Sequence, residues 1–93
     1  MNTITKTRES EKLDNSTSLP YLLILENDDY NTFEWVIECL IKICKHDPEQ
    51  ASQCAHIVHF TGKCYVKRGD FETLLVMYNK LKSCGLCVSM ELS

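Results

Sequence analysis

Three groups of side chains in this 93-residue sequence have types and spacings that could do chemistry. The first is the run Asn27-Asp28-Asp29, whose amide and carboxylate oxygens can accept hydrogen bonds from a cationic donor. The second is the pair His56 and His59, which lie three residues apart in a predicted helix, so both rings can face the same way. The third is the pair Cys84 and Cys87, with the two-residue gap of zinc and redox motifs.

The second and third groups together allow one interpretation, a small metal-binding or thiol-redox module that uses Cys84, Cys87 and the two histidines. A zinc finger needs a second pair of ligands with matching spacing, and the Cys pair has no partner of that kind. A redox pair is favoured at a helix N-terminus, where the dipole stabilises the thiolate, whereas Cys84 falls at a predicted C-terminus. No thiol has the context of a catalytic Cys-His pair, so we expect no enzyme activity.

Length and composition narrow the class of protein. A chain of 93 residues with 44% apolar and 25% charged residues is sufficient for one small globular domain. The net charge of -3 and the lack of a basic stripe argue against nucleic acid as the main partner. The longest apolar run is too short for a membrane span, and no signal segment is visible. We therefore expect a cytoplasmic protein without a cofactor, whose six cysteines are reduced thiols.

The chain divides into a polar tail over residues 1–19 and a folded domain over residues 20–93. The tail has too few apolar groups to offset the entropy of ordering it, so we expect it to be flexible. After Pro20, the apolar run 21–25 predicts a strand that ends at the acidic cluster. A first helix over 33–44 is predicted from its apolar period, with Asn31 and Glu34 at capping-box spacing.

The second half of the chain alternates helices with strands. Asp47 and Pro48 predict the start of a second helix, and Gly62 predicts its end. Residues 63–67 alternate as a half-buried strand, Asp70 caps a third helix, and residues 86–92 form a third strand after Gly85. The order β-α-α-β-α-β predicts an α+β fold, a small two-layer α/β sandwich with a three-stranded antiparallel sheet packed against three helices.

The acidic turn and the second helix also carry a family resemblance. The run Asn27-Asp28-Asp29-Tyr30, the helix 33–44, and Val58-His59-Phe60-x-Gly62-Lys63 resemble the ClpS family of Clp protease adaptors. The resemblance covers roughly residues 21 to 92 and keeps the family's order of elements. It implies an adaptor that binds proteins with a destabilising hydrophobic N-terminal residue, the N-degron. It also implies delivery of these proteins to the N-terminal domain of a Clp AAA+ unfoldase for degradation.

The resemblance assigns roles to particular residues. It implies that Asn27, Asp28 and His59 accept hydrogen bonds from the substrate α-amino group, with Asp29 as supporting charge. A set of apolar residues is implied to hold the first side chain of the substrate: Phe33, Val36, Ala55, Val58 and Leu86. From periodicity alone, the helical members of this set are equally ordinary core positions.

This sequence departs from the family pattern at several of these positions. Asn31-Thr32-Phe33 stands where Thr-Pro-Met is common, and Ala55 stands where a Met is common. We expect the larger Phe33 and the smaller Ala55 to change the shape of the pocket. In the third helix, Glu72 matches a position that contacts the unfoldase, but Met77 replaces a usual Lys.

Overall fold

The computed structural model describes residues 20–93; the tail predicted over residues 1–19 lies outside the described residues. Within this range, the chain forms six elements in the predicted order. They are β1 (Tyr21–Glu26), α1 (Phe33–Cys44), α2 (Pro48–Thr61), β2 (Lys63–Gly69), α3 (Phe71–Ser83) and β3 (Cys87–Leu92). The predicted α+β fold is therefore confirmed, and β3 begins one residue later than predicted.

The three strands form one antiparallel sheet in the order β2-β1-β3. The central strand β1 pairs with both neighbours, with Leu25 opposite Cys64 on β2 and opposite Val88 on β3. A bulge between Leu23 and Ile24 shifts the register against β2. The end of β1, and hence the acidic turn, is held from both sides by these pairings.

The hydrophobic core lies between one face of the sheet and the three helices. Leu23 and Leu25 belong to it, and they are essentially inaccessible to solvent. The helical members of the core are Cys39, Leu40, Cys44, Ala51, Cys54, Val58, Leu74 and Leu81. Ile24 is buried as well but does not belong to this cluster, consistent with a side chain on the opposite face of the sheet.

Each helix begins at a side-chain cap. Asp47 accepts a hydrogen bond from Gln50 N at 2.8 Å, and Asp70 accepts one from Thr73 N at 3.1 Å, as the sequence predicts. The prediction for α1 is wrong by one residue, because Thr32 is the cap and accepts from Trp35 N at 3.1 Å. The side chain of Asn31 instead donates hydrogen bonds to Asp28 and to Gly85 O.

The end of α2 is a tight left-handed turn. Gly62 has a φ of 98°, which a residue with a side chain rarely adopts, and its N–H donates to Val58 O at 2.9 Å. The turn lets β2 start at Lys63 and run back along β1. None of the helices over residues 20–93 is both long and apolar enough to cross a lipid bilayer.

Candidate functional site

The acidic turn after β1 is folded around the carboxylate of Asp28. Oδ1 accepts hydrogen bonds from the backbone N–H groups of Tyr30 and Asn31, both at 2.8 Å. Oδ2 accepts from the side-chain amide of Asn31 at 2.9 Å. A carboxylate has about four lone-pair positions, and these bonds take three, so roughly one position on Oδ2 is left for a further donor.

Asp28 is held in its charged form. Burial raises the pKa of this carboxyl, but the hydrogen bonds from Asn31 and Tyr30 outweigh burial and lower the pKa below its ordinary value. Asp28 is half-buried, while its neighbours Asn27 and Asp29 are exposed. The turn therefore presents a fixed negative charge flanked by two accessible polar side chains.

The helix α2 forms the other side of the site. Ala55, Val58 and His59 follow one another at the spacing that places them on one helical face. A backbone hydrogen bond from Asn27 N to Gly62 O, 2.9 Å long, ties the end of this helix to the start of the acidic turn. Residues about thirty positions apart in sequence are thereby brought to one place.

The turn, α1 and α2 enclose a cavity of about 330 Å³. The residues that line it are Asn27, Asp28, Asp29, Asn31, Phe33, Val36, Ala55, Val58 and His59. The polar residues come from the turn and from the end of α2, and the apolar residues come from the facing sides of α1 and α2. The arrangement can hold a small group that is cationic at one end and apolar at the other.

Leu86 is the one residue assigned to the apolar set that is not among the residues lining this cavity. It is 4% exposed and belongs to the hydrophobic core. Its backbone N–H donates to Leu81 O at 3.2 Å, which fixes the turn between α3 and β3. In this structure, Leu86 supports the fold next to the site.

Asn31 lines the cavity although the sequence pattern assigned it to a helix cap. Its side-chain amide donates both to Asp28 Oδ2 and to Gly85 O, the latter at 3.0 Å. The spacing of Asp28, Tyr30 and Asn31 is that of an Asx-type turn, in which an Asp accepts from backbone groups two and three residues ahead. The spacing of an Asx-type turn can be read from the sequence, but the hydrogen bond to Gly85, 54 residues away, cannot.

The candidate metal and redox residues are dispersed. Within residues 20–93, no group of three or more His, Cys, Asp or Glu side chains is placed to hold a metal ion. Cys84 is half-buried and lies beside Cys39 on α1, whereas Cys87 is exposed. His59 lines the cavity, but His56 lies outside it. The alternative interpretation as a metal or redox module therefore has no support.

The buried thiols are poorly suited to redox chemistry. Burial raises the pKa of Cys39 to about 12 and that of Cys44 to about 11, and it also raises the pKa of Cys54. A thiol with a raised pKa has little of the thiolate that reacts with oxidants or metals at neutral pH. These cysteines act as small apolar core residues.

The third helix presents Glu72 at its exposed first turn. Met77, the residue that replaces the usual Lys, is half-buried and packs against the hydrophobic core. It therefore supplies packing rather than a surface group on this helix.

Comparisons with known proteins identify similar chains. A sequence model of the family described as ATP-dependent Clp protease adaptor protein ClpS matches residues 16–87. Proteins described as ATP-dependent Clp protease adapter protein ClpS from Salmonella gallinarum and from Escherichia coli O1:K1 are each 43% identical over 63 residues. These matches cover 64% of this chain and 59% of each relative, so the chain matches about six tenths of their length.

A solved structure has the same fold. The structure of Agrobacterium tumefaciens ClpS2 bound to L-phenylalaninamide matches with a TM-score of 0.69 and 19% sequence identity. The match covers 81% of this chain and 98% of the solved chain.

Proposed function

Because this chain belongs to the ClpS family of Clp protease adaptors, we propose that it binds proteins with a hydrophobic N-terminal residue and delivers them to a Clp AAA+ unfoldase. In this role the protein is an adaptor and not an enzyme, and it acts in the cytoplasm. The single observation that carries the proposal is the cavity, which joins a negative, acceptor-rich rim to an apolar wall.

The polar rim suits a free α-amino group. This group is an ammonium with three donors and an unperturbed pKa of about 7.7 to 8.0. Asp28 has roughly one acceptor position left on Oδ2 and is ionised, because its pKa is lowered. We assign Asn27, Asp28 and His59 to the three ammonium donors, and Asp29 adds negative charge at the rim.

The apolar wall suits the first side chain. Phe33 and Val36 come from α1, and Ala55 and Val58 come from α2. Burying a Leu or Phe side chain against them contributes roughly 1.5 to 3 kcal/mol. A cavity of about 330 Å³ is at the small end of ligand pockets, which is consistent with one side chain and its amino group rather than a long segment.

A relative of the same fold supports this choice of ligand. The Agrobacterium protein was solved with L-phenylalaninamide, a single residue with a free amino group and an aromatic side chain. That molecule has the two chemical features to which the rim and wall of this cavity are matched.

Binding to peptides tests the proposal. We expect a fluorescent peptide that begins with Phe to bind, and its N-acetylated twin to bind at least about fivefold more weakly. Acetylation removes the charge and leaves buried acceptors unpaired, at a cost of roughly 1 to 3 kcal/mol. Equal binding of the two peptides would contradict the proposal.

Delivery requires a second surface, and we assign the unfoldase contact to the exposed first turn of α3. Glu72 supplies negative charge there, and its partner would be the N-terminal domain of the unfoldase. We expect Glu72→Lys to weaken capture by that domain while leaving peptide binding unchanged. Surface plasmon resonance with the isolated unfoldase domain measures the first effect, and peptide anisotropy measures the second.

A further inference from the structure

The phenyl ring of Phe33 packs against the imidazole rings of two histidines. Its centroid is 5.0 Å from that of His56, with the rings stacked at 28°, and 5.2 Å from that of His59, at 58°. The exposed ring of Phe60 lies beside both histidines, with its centroid 5.0 Å from that of His59 and 6.4 Å from that of His56. These separations are in the range in which aromatic pairs attract one another.

The two histidines differ in their relation to the cavity. Phe33 and His59 line the cavity, whereas His56 lines a neighbouring groove on the outer side of α2. His56 therefore contacts Phe33 from outside the cavity. His56 supports Phe33, a lining residue, but does not line the cavity itself.

The ring of His56 is itself fixed in orientation. Its Nδ1 lies 2.9 Å from the backbone carbonyl oxygen of Ser52, one helical turn earlier. A carbonyl only accepts hydrogen bonds, so Nδ1 carries the hydrogen and donates it. A ring attached to its own helix in this way is a rigid support for the ring stacked on it.

Phe33 needs such a support. It is the first residue of α1 and is 37% exposed, so the hydrophobic core does not hold the whole of its ring. Ala55, which also lines the cavity, has only a methyl side chain and so adds little bulk to hold the ring. The position of the Phe33 ring therefore sets the width of the cavity.

We propose that His56 is a positioning residue for substrate specificity, which holds the Phe33 ring as a fixed wall against the first side chain of the bound chain end. This inference rests on the proposed function of the cavity. This role requires no direct contact between His56 and the substrate.

Peptides that differ only in a first residue of Leu or Trp test the inference. In His56→Ala, the Phe33 ring loses its backing and rotates outward, and the cavity widens. We expect the ratio of the Kd for the Trp peptide to that for the Leu peptide to fall by about three- to tenfold, the effect of losing one aromatic pair. A merely structural role for His56 would weaken both peptides equally.

Two further variants make the test specific. His56→Tyr keeps a flat ring that can stack on Phe33 but loses the bond to Ser52 O, so we expect a ratio closer to that of the wild type than to that of His56→Ala. Gln53→Ala removes a side chain from the same groove, but Gln53 is not one of the rings stacked on Phe33, so we expect no change. A ratio that shifts equally in Gln53→Ala and His56→Ala would overturn the inference.

An NMR measurement tests the contact without a ligand. The ring current of Phe33 should shift the carbon-bound ring protons of His56 upfield, and Phe33→Leu should abolish that shift. If the wild type binds neither peptide, the proposed function fails and the specificity role fails with it. If the wild type binds and His56→Ala leaves the ratio unchanged, or the upfield shift is missing, only the role of His56 is overturned.

Discussion

The side-chain amide of Asn31 donates a hydrogen bond to the carboxylate of Asp28 at 2.9 Å, and the same amide nitrogen donates to Gly85 O at 3.0 Å. The charged group at the rim of the cavity is thereby connected to the turn between α3 and β3. Because an Asn side chain has two N–H donors, it can make both bonds at once. Asn31 is therefore the residue that orients Asp28.

The first prediction concerns this bridge. In Asn31→Ala, Asp28 loses its Oδ2 partner but keeps the backbone bonds to Oδ1, so we expect the affinity for a Phe-initiated peptide to fall by about three- to tenfold, less than the full value of a hydrogen bond to a charged group. Fluorescence anisotropy measures the Kd. Asn79→Ala on the exposed side of α3 is the matched control and should leave the Kd unchanged. Equal affinities for the two variants would refute the orienting role.

The second prediction concerns the pH dependence of the unfolding free energy. The folded-state pKa of Asp28 lies below the unfolded value of about 3.9, so its hydrogen bonds stabilise the fold fully above that pH. The contribution is lost as the pH falls through the lower, folded-state pKa. We therefore expect the difference in unfolding free energy between the wild type and Asp28→Asn to shrink as the pH falls below about 4.

Urea unfolding at a series of pH values from 7 to below 3 measures this difference. Asp29→Asn removes the same charge from the adjacent, exposed position and serves as the control. We expect the control to show a smaller dependence on pH. A difference for Asp28→Asn that grows on acidification would have the wrong sign and would exclude the assigned hydrogen bonds.

The third prediction concerns the width of the cavity. Ala55 lines the cavity and is 3% exposed, so the larger side chain in Ala55→Met must occupy cavity volume. We expect affinity for a Trp-initiated peptide to fall roughly tenfold, within the range that overpacking costs, and affinity for a Leu-initiated peptide to fall less. Isothermal titration calorimetry measures both. Ile57→Met, at an exposed position on the same helix, should change neither, and an equal loss for both peptides would contradict the assignment.

The fourth prediction tests whether Leu86 is a residue of the hydrophobic core. This side chain is 4% exposed, so Leu86→Ala should lower the unfolding free energy by about 2 to 5 kcal/mol. Leu92→Ala at the end of β3 is the control, because Leu92 is 52% exposed and its loss should cost about 0.5 kcal/mol or less. Chemical denaturation compares them. Similar losses for the two variants would show that Leu86 is not the core residue assigned here.

Much of the fold follows from local patterns. The caps Asp47 and Asp70 and the terminating turn at Gly62 lie where the sequence predicts them, because each acts within three or four residues of its own position. These features need no information from distant parts of the chain. The face of β1 that meets the helices could not be predicted in this way, because Leu22 and Ile24 are as apolar as Leu23 and Leu25, and only the structure shows that Leu23 and Leu25 join the core.

The differences arise where a distant contact competes with a local one. Asn31 has the spacing of a helix cap with Glu34, but its bond to Gly85 engages the side chain, and Thr32 caps the helix in its place. Tyr30, in the same turn, is 93% exposed, and its N–H donates to Asp28. The stacking of Phe33 on His56 was equally invisible, since it depends on how two helices cross.

The hydrogen bond from Asn27 N to Gly62 O has a consequence for how the protein is made. The acidic turn is synthesised well before α2. A partly synthesised chain therefore contains the charged residues of the site but not the helix that completes the cavity. The cavity is complete only once synthesis has passed Gly62 and this hydrogen bond can form. Under the proposed function, a chain end can therefore be bound only after α2 has folded against the acidic turn.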